Sequence, residues 1–260
     1  MDKEQLSVIK IGGNVIENDA ALQEFLAKFS SITTPKILIH GGGKLATTLS
    51  QKLGIETKMV DGRRITDIET LDVITMVYGG LVNKKIVAKL QAQNINAIGL
   101  SGADANSIVS IKRPVKTIDY GFVGDVEFAN ATNINILLKN NFTPVFCAIT
   151  HDKKGNLLNT NADTIASQVA VAMSNFYNVT LYYCFELNGV LENFEDKNSV
   201  ISHINKTKYQ ELLDAKIIAD GMLPKLNNCF DALEKGVHKV CIGKDSMLTD
   251  KSAIFTTISL

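Results

Sequence analysis

Short apolar runs rich in β-branched residues alternate along this chain with segments in which apolar residues recur every three or four positions. The first pattern is typical of buried strands, and the second is typical of helices that bury one face. Their alternation predicts a mainly parallel sheet covered by helices on both sides, which is a three-layer α/β/α sandwich. The predicted strands are 6–11, 36–40, 96–100, 143–149, 179–185 and 239–243.

Two helical stripes are regular enough to assign core positions. One consists of Leu22, Phe25, Leu26 and Phe29, and the other of Leu226, Cys229, Phe230 and Leu233. Gly236 follows the second stripe. We expect it to end that helix, because glycine adopts the left-handed backbone of a helix C-terminus without strain.

Segment 107–128 departs from this alternation. Its polar and apolar residues alternate, and it contains Pro114, Gly121 and Gly124, a combination typical of antiparallel hairpins. We expect this segment to form a β-hairpin lid over a ligand. The chain contains no linker-like stretch, so any division into lobes, near 174–178, must join two fused parts.

Composition and charge narrow the class of protein. The 260 residues are 45% hydrophobic, and 27 basic residues balance 27 acidic ones, which leaves no broad basic surface for nucleic acid. No apolar run reaches the roughly 18 residues of a membrane span, and the N-terminus has no apolar leader. The four cysteines lack metal-binding spacing, which indicates reduced core residues. We therefore expect a cytoplasmic protein without nucleic-acid or membrane partners.

Two glycine clusters follow the first two predicted strands: Gly12-Gly13 after 6–11 and Gly41 to Gly43 after 36–40. Glycine lets backbone N–H groups approach an anion closely, and the start of the following helix directs unpaired N–H groups to the same place. Lys10 lies two residues before the first cluster in an otherwise apolar run. This combination indicates an enzyme that handles a polyphosphate and an anionic acceptor.

Three common nucleotide-binding fingerprints do not fit these glycines. In a P-loop, GxxxxGK followed by Ser or Thr, Leu38 would replace the first glycine and Leu45 the hydroxyl residue. The dinucleotide pattern GxGxxG does not follow the first strand, and the sequence has no HRD or DFG tripeptide. The glycines therefore belong to another type of phosphate site.

Five segments narrow the type of site: VIKIGG at 8–13, IHGGG at 39–43, DGRRIT at 61–66, NTNAD at 159–163 and DGMLPK at 220–225. In this order and at these separations they resemble the amino acid kinase family and, within it, the enzymes that phosphorylate N-acylated glutamate. The resemblance implies an α/β sandwich with an acyl-glutamate-binding and dimerising lobe, 1–175, and an ATP-binding lobe, 176–260. It also implies a transferase that uses Mg²⁺ and ATP to phosphorylate the γ-carboxylate of N-acetyl-L-glutamate, in arginine biosynthesis.

The same resemblance implies roles for individual residues. Lys10 and Lys225 would approach the transferring phosphoryl group from two sides, and Asp163 would hold both lysines. The implied acceptor-binding residues are Gly42, Gly43, Arg64, Asn159 and Asn161. The implied nucleotide-binding residues are Gly12, Gly13, Glu186, Gly189, Ile217, Ile218 and Ala219. Mg²⁺ would be held mainly by the ATP phosphates, without protein ligands of its own.

The chemistry of a carboxylate acceptor agrees with these assignments. A carboxylate is already nucleophilic at pH 7, so the site needs positioning and charge neutralisation rather than a general base. Arg64 would clamp the α-carboxylate with its fork of N–H groups, and Asn159 would hold the amide. Simpler interpretations remain open: Asp163 as an ordinary helix N-cap, and Asn159 and Asn161 as turn formers.

The pair Phe185-Glu186 departs from the family pattern. Related kinases carry Thr or Ser followed by Asp at these positions, so one hydrogen-bonding group is lost and one carboxylate arm is longer. This motivates an alternative hypothesis, a nucleotide-binding regulatory protein with a degraded ATP lobe. The three cations of segment 112–116 motivate a second alternative, the same reaction on another N-acylglutamate such as N-succinyl-L-glutamate.

We expect a homodimer that is indifferent to arginine. The first predicted strand begins at Leu6, which leaves no room for the N-terminal helix that links dimers into arginine-sensitive hexamers in part of the family. The dimer helix is predicted within 68–93, where a stripe of apolar residues would face a second copy. That stripe consists of Leu71, Ile74, Tyr78, Leu81 and Val82.

Overall fold

The computed structural model describes residues 3–60, 62–215, 217–218 and 222–260. Its strands are β1 Gln5–Ile11, β2 Lys36–His40, β3 Met59–Val60, β4 Arg63–Arg64, β5 Ala97–Leu100, β6 Ile108–Lys112, β7 Gly124–Ala129, β8 Thr143–Cys147, β9 Ile149–His151, β10 Leu157–Asn159, β11 Asn178–Cys184, β12 His203–Ile204, β13 Lys239–Gly243 and β14 Thr256–Ile258. Its α-helices are α1 Gly13–Glu17, α2 Asp19–Ser31, α3 Gly43–Lys52, α4 Ile68–Ile74, α5 Asn83–Gln91, α6 Ala131–Lys139, α7 Ala162–Met173, α8 Lys206–Asp214 and α9 Leu223–Glu234. A π-helix, Thr75–Val82, joins α4 to α5, and 3₁₀ turns occupy Asp104–Asn106 and Asp245–Leu248. Among the described residues, no helix combines the length and apolarity needed to cross a membrane.

The main sheet has eight strands in the order β12-β14-β13-β11-β1-β2-β8-β5. Neighbouring strands run parallel except β13 and β14, which pair antiparallel. Every residue of β2 is buried, as expected for a parallel strand covered on both faces. The predicted mainly parallel α/β architecture is therefore confirmed. Because β11 pairs with β1, the proposed lobes 1–175 and 176–260 share this sheet.

The predicted strand 143–149 is divided between two sheets. β8 ends at Cys147, and β9 begins at Ile149 in a second sheet of order β10-β9-β6-β7. Between them, the carbonyl of Ala148 accepts a hydrogen bond from the backbone N–H of Thr160, at 3.1 Å. The continuous apolar run conceals this change of partner, because buried strands of either sheet select apolar residues.

Segment 107–128 contains the predicted hairpin. β6 and β7 pair antiparallel, and their loop, 113–123, is tied to the segment that follows β4. Thr66 N–H donates to the carbonyl of Tyr120 at 2.9 Å, and Phe122 N–H donates to the carbonyl of Thr66 at 2.7 Å. The hairpin therefore lies against the segment after β4 instead of projecting into solvent.

The apolar stripes of α2 and α9 are buried, as predicted. Gly236 has φ +101° and lies just beyond the end of α9. The four cysteines are buried and free. Burial raises the pKa of the Cys147 thiol to about 12, so this residue belongs to the core as a neutral group.

The expected dimer face within 68–93 is wrong for four of its five residues. Leu71, Ile74, Tyr78 and Val82 are buried in the chain's own core, whereas Leu81 is 50% exposed. An apolar stripe along a surface helix marks the face that is covered, and here the helix packs that face on its own sheet. These four residues are therefore unavailable to a partner.

Candidate active site

The two glycine clusters meet at one edge of the main sheet. β1 and β2 are parallel neighbours, and α1 and α3 begin at Gly13 and Gly43, directly after them. Lys10 pairs in register with Ile39 of β2 and Tyr183 of β11. The parallel register therefore gathers Lys10 and both glycine turns beside the carboxyl end of β11.

Tyr78 packs under the second glycine turn. A Cβ atom at Gly42 would lie 2.9 Å from Cδ1 of Tyr78, so a larger residue cannot occupy this position without displacing the ring. A Cβ atom at Gly43 would lie 3.8 Å from the Tyr78 hydroxyl. Close packing, in addition to backbone freedom, therefore requires glycine at Gly42.

His40 supports the same turn from the core. Its Nδ1 lies 2.8 Å from the carbonyl of Gly41 and must donate to it, so Nε2, 3.0 Å from Asn83 Nδ2, must accept. Burial lowers the pKa of His40 to about 4. The imidazole is therefore neutral at pH 7 and acts as a fixed support for the glycine turn.

Lys10, Lys225 and Asp163 form one ionic cluster. Lys10 Nζ lies 2.8 Å from Oδ1 of Asp163, and Lys225 Nζ lies 3.8 Å from Oδ2. Burial alone would raise the pKa of Asp163, but the charges of the two lysines lower it below its usual value. Asp163 is therefore ionised at neutral pH and holds two cations that come from β1 and α9.

The start of α7 positions Asp163. The side chain of Asn161 caps this helix, accepting hydrogen bonds from the N–H groups of Asp163, at 2.8 Å, and Thr164, at 3.0 Å. The interpretation of Asp163 as the N-cap is therefore wrong, because Asn161 fills that place. Capping by its neighbour leaves the carboxylate of Asp163 for the lysines.

Aromatic rings line the approach to Lys225. Its Nζ lies 5.1 Å from the ring centre of Phe185 and 6.0 Å from that of Tyr183. These distances are in the range of cation–π attraction. Phe185, at the position where the motif resemblance implied a hydroxyl residue, therefore contacts one of the two cations of the cluster.

A cavity of about 260 Å³ opens beside this cluster and contains every predicted acceptor-binding residue. Its walls include Gly42, Gly43, Arg64, Asn159 and Asn161. This volume is close to the lower limit of roughly 300 Å³ for small-molecule sites. The cavity therefore suits a compact, polar acceptor.

Arg64 is fixed by three hydrogen bonds. Its Nη2 donates to the carbonyl of Gly43 at 2.9 Å and to Thr47 Oγ1 at 2.8 Å, and its Nη1 donates to Thr57 Oγ1 at 3.1 Å. Arg64 is 8% exposed, whereas its neighbour Arg63 is exposed. The guanidinium is thus held rigidly at the cavity wall, next to the glycine turn.

Asn159 is oriented from the opposite wall. Its Nδ2 donates to Thr66 Oγ1 at 3.0 Å, and its backbone N–H donates to the carbonyl of Phe122 at 2.8 Å. The neighbouring Thr160 is buried and shares a 2.7 Å hydrogen bond with Thr150. These bonds connect the cavity wall to the hairpin loop.

The predicted nucleotide-binding residues that the structure describes are not among those that line this cavity. Gly12 uses its N–H to bond the carbonyl of Cys184 at 3.1 Å, and Glu186 is exposed and hydrogen-bonded to Asn14. Gly189 is buried, and a Cβ there would lie 2.5 Å from Thr256 Oγ1, which gives it a packing role.

Two further predicted nucleotide-binding residues, Ile217 and Ile218, are partly and fully buried. Ala219, together with Asp220 and Gly221 of the fifth motif and Asp61 of the third, lies outside the described residues.

Among the described residues that line the cavity, six lie outside the motifs, and the two of these with long polar side chains are Tyr78 and Arg113. Tyr78 was expected at a dimer face, and Arg113 was noted only as one of three lid cations. The glycine-rich turn was the one sequence feature that indicated a neighbour such as Tyr78, because a turn without side chains lets a ring pack closely against its backbone. The sequence did not indicate the position of Arg113, because that position depends on how the hairpin packs against segments distant in the chain.

The carboxylate of Asp163 is occupied by lysines rather than free for a metal ion. Within the described part of the chain, no group of three His, Cys, Asp or Glu side chains is suited to hold one. Each carboxylate oxygen of Asp163 faces a lysine. This donor set fits Mg²⁺ carried by nucleotide phosphates better than Mg²⁺ held by protein carboxylates.

Comparison with known proteins agrees with this geometry. Residues 5–244 match the model of the amino acid kinase family. The chain is 56% identical to the acetylglutamate kinase of Cytophaga hutchinsonii, over 95% of this chain and 94% of that one, and 54% identical to that of Phocaeicola vulgatus, over 96% and 97%. The crystal structure of smu.665 from Streptococcus mutans UA159 matches with a TM-score of 0.79 at 26% identity, over 98% of both chains. The chain therefore belongs to the amino acid kinase family, within its group of acetylglutamate kinases.

Proposed function

We propose that this protein transfers the γ-phosphoryl group of ATP to the γ-carboxylate of N-acetyl-L-glutamate, giving N-acetyl-L-glutamyl 5-phosphate for arginine biosynthesis. The observation that carries the proposal is the convergence of Lys10 and Lys225 on Asp163, beside the cavity. Two converging cations suit a reaction in which two anions must meet. The names of the curated relatives support the same activity.

The chain's own residues supply charge neutralisation for this reaction. The attacking carboxylate oxygen forms a bond to the γ-phosphorus while the bond to ADP breaks, so no proton has to be removed. Lys10 and Lys225 stabilise the negative charge of the transferring group, and Asp163 fixes both ammonium groups. Mg²⁺ bound to the ATP phosphates would add positive charge on the leaving side.

The cavity walls orient the acceptor. We assign the γ-carboxylate to the backbone N–H groups of Gly42 and Gly43, the α-carboxylate to Arg64 and the amide to Asn159. This assignment is supported by the bonds that hold Arg64 and Asn159 in place before the acceptor binds. Prior positioning lowers the entropic cost of binding and of reaching the reactive geometry.

A hydroxylamine-trapping assay tests the proposal. The protein is incubated with Mg-ATP, hydroxylamine and one acceptor: N-acetyl-L-glutamate, N-succinyl-L-glutamate, glutamate or aspartate. We expect hydroxamate from an N-acylated acceptor and none from the Lys10→Ala variant. ATP binding without hydroxamate from any acceptor would refute the kinase and support the regulatory nucleotide-binding protein instead.

We also propose that the protein acts in the cytoplasm as a homodimer. The near-full-length similarity to acetylglutamate kinases supports this state, and half-exposed apolar residues such as Met76 and Leu81 lie on the outer side of the π-helix. Light scattering at micromolar concentration measures the mass directly. A monomer or a hexamer would contradict the proposal.

A further inference from the structure

We propose that Arg113 makes the acceptor cavity selective for an N-acyl group that ends in a carboxylate. The preferred acceptor is then an N-acylglutamate whose acyl group comes from a dicarboxylic acid. This inference rests on the proposed phosphorylation of an acylated glutamate, and it names a dicarboxylic acyl group, in place of acetyl, as the one the cavity prefers.

Arg113 lies on the side of the cavity where the acyl group is expected. It follows β6 and lines the same cavity as Arg64 and Asn159. Its backbone N–H donates to the carbonyl of Val123 at 2.8 Å, and Val123 forms a parallel bridge with Asn159. Arg113 is thus one backbone segment away from Asn159, the residue assigned to the acceptor amide. The acyl group is bonded to that amide nitrogen, so it projects from the Asn159 side.

The guanidinium of Arg113 is held along one edge. Its Nε donates to both carboxylate oxygens of Asp125, each at 3.1 Å, and its Nη2 also bonds Asp125. The ring of Tyr120 lies 5.4 Å from its central carbon. These contacts fix the plane of the guanidinium, which is the geometry needed to recognise a planar carboxylate.

The other edge of Arg113 lacks an acceptor. Nη1 is buried and has no hydrogen-bond partner within the described part of the chain. A buried, charged donor without a partner is costly, and such groups in native structures call for an explanation. The methyl group of an acetyl substrate cannot accept a hydrogen bond, whereas a terminal carboxylate supplies both acceptor oxygens and the opposite charge.

The other two lid cations do not compete for this role. Lys112 and Lys116 are exposed, and Lys112 Nζ lies over the ring of Phe122, 5.1 Å from its centre. Among the three cations of segment 112–116, Arg113 lines the cavity. Lys116 therefore provides a matched control, an exposed cation of the same segment that is not among the residues lining the cavity.

The test compares kcat/KM for three acceptors in the hydroxamate assay: N-acetyl-, N-butyryl- and N-succinyl-L-glutamate. N-butyryl has about the length of N-succinyl without its charge, so the succinyl-to-butyryl ratio measures recognition of the carboxylate. We expect this ratio to exceed about 10 in the wild type and to fall about 10- to 100-fold in Arg113→Gln, as for the loss of a charged hydrogen bond. Arg113→Lys should restore part of the ratio, and Lys116→Gln should keep the wild-type value.

The outcomes separate this inference from the proposed function. Turnover of N-acetyl-L-glutamate with a succinyl-to-butyryl ratio near one would overturn the inference and leave the kinase assignment intact. An unchanged ratio in folded Arg113→Gln would overturn the role of Arg113. No turnover of any acceptor would overturn both proposals. The wild-type ratio requires no variant, so it decides the question even if Arg113→Gln does not fold.

Discussion

The acceptor side and the nucleotide side of the site hold their polar groups in different ways. On the acceptor side, Arg64 and Asn159 have protein partners that fix them before any acceptor arrives. On the nucleotide side, Glu186 is exposed and contacts another exposed residue, Asn14. The comparison teaches that the proposed acceptor pocket has side chains fixed by part-buried hydrogen bonds to the protein, whereas Glu186 on the proposed nucleotide side has an exposed one. We therefore propose that nucleotide binding relies more on backbone groups and on cations.

The same difference bears on Phe185 and Glu186. These residues stand where the motif resemblance implied a hydroxyl residue and an aspartate, and both belong to the proposed nucleotide side. Recognition through backbone groups tolerates such changes, because the backbone donors remain the same. On the acceptor side, a change at Arg64 would leave Gly43, Thr47 and Thr57 without their shared donor.

The largest effect is expected from Lys10→Met, because Lys10 lies at the boundary between the two sides. Loss of one stabilising cation should lower kcat about 10³-fold, the upper range for removing one transition-state donor. Both KM values should stay within several-fold of wild type. Steady-state kinetics with N-acetyl-L-glutamate and Mg-ATP measures this.

Lys52→Met is the matched control, since Lys52 is an exposed lysine at the end of α3 and should behave as wild type. A Lys10→Met variant with normal kcat and a raised KM for ATP would place Lys10 on the nucleotide side alone. Lys10 would then act in nucleotide binding only, and it would not join the acceptor side to the nucleotide side.

The next largest effect is expected on folding stability, and it concerns His40, the buried residue that supports the glycine turn 41–43. The folded-state pKa of His40 is lowered to about 4 from an ordinary value of 6.5, so the unfolded chain binds more protons between these two pH values. Stability should therefore fall as the pH falls from 6.5 to 4, by about 3 kcal/mol at most. Protonation would place an N–H on Nε2 against the amide donor of Asn83.

Urea unfolding at several pH values measures this slope, and His40→Gln should flatten it. Cys147 pairs in register with His40, and because its pKa is raised to about 12 it remains neutral between these pH values. Asp163, with a pKa below its usual 3.8, contributes only at lower pH, where protonation removes its attraction to the lysines. An equal slope in His40→Gln would show that other groups control acid stability.

A smaller effect, on KM, is expected from Arg64→Lys, and it should distinguish the acceptor side from the nucleotide side directly. Arg64→Lys keeps the charge but loses the fork, so the KM for the acceptor should rise about 10- to 30-fold, within the range for a charged hydrogen bond. The KM for ATP should change less than about twofold. Lys58→Arg is the control, at an exposed position of the same segment that is not among the residues lining the cavity. Equal increases in both KM values would mean that the two sides are coupled rather than separate.

Much of this arrangement could be predicted from the sequence because it depends on local patterns. The apolar runs of β1 and β2 identify buried parallel strands, and parallel neighbours must bring Lys10 and the glycine turns to the same edge. The motif at 159–163 located Asp163, although the sequence did not reveal that Asn161 would be the cap.

The remaining features depend on contacts between distant segments. The periodicity of Leu71, Ile74 and Tyr78 shows that their helix has an apolar face, but it does not show whether the chain's own sheet or a second copy covers that face. Arg113 and Asp125 meet across a hairpin whose register includes an irregularity between Val109 and Ser110. No sequence pattern fixes that register.

The smallest effect is expected from Phe185→Leu, on the nucleotide side. This change keeps the apolar bulk but removes the ring 5.1 Å from Lys225 Nζ, and a cation–π contact of about 0.5–1 kcal/mol corresponds to a two- to fivefold loss of kcat. Phe185→Thr, which restores the residue type of related kinases, should also remain within about fivefold of wild type, because Asp163 still holds Lys225. A loss beyond about 50-fold in both variants, measured with saturating ATP, would show that the ring is essential for placing Lys225. The nucleotide side would then depend on a rigid side chain as strongly as the acceptor side does.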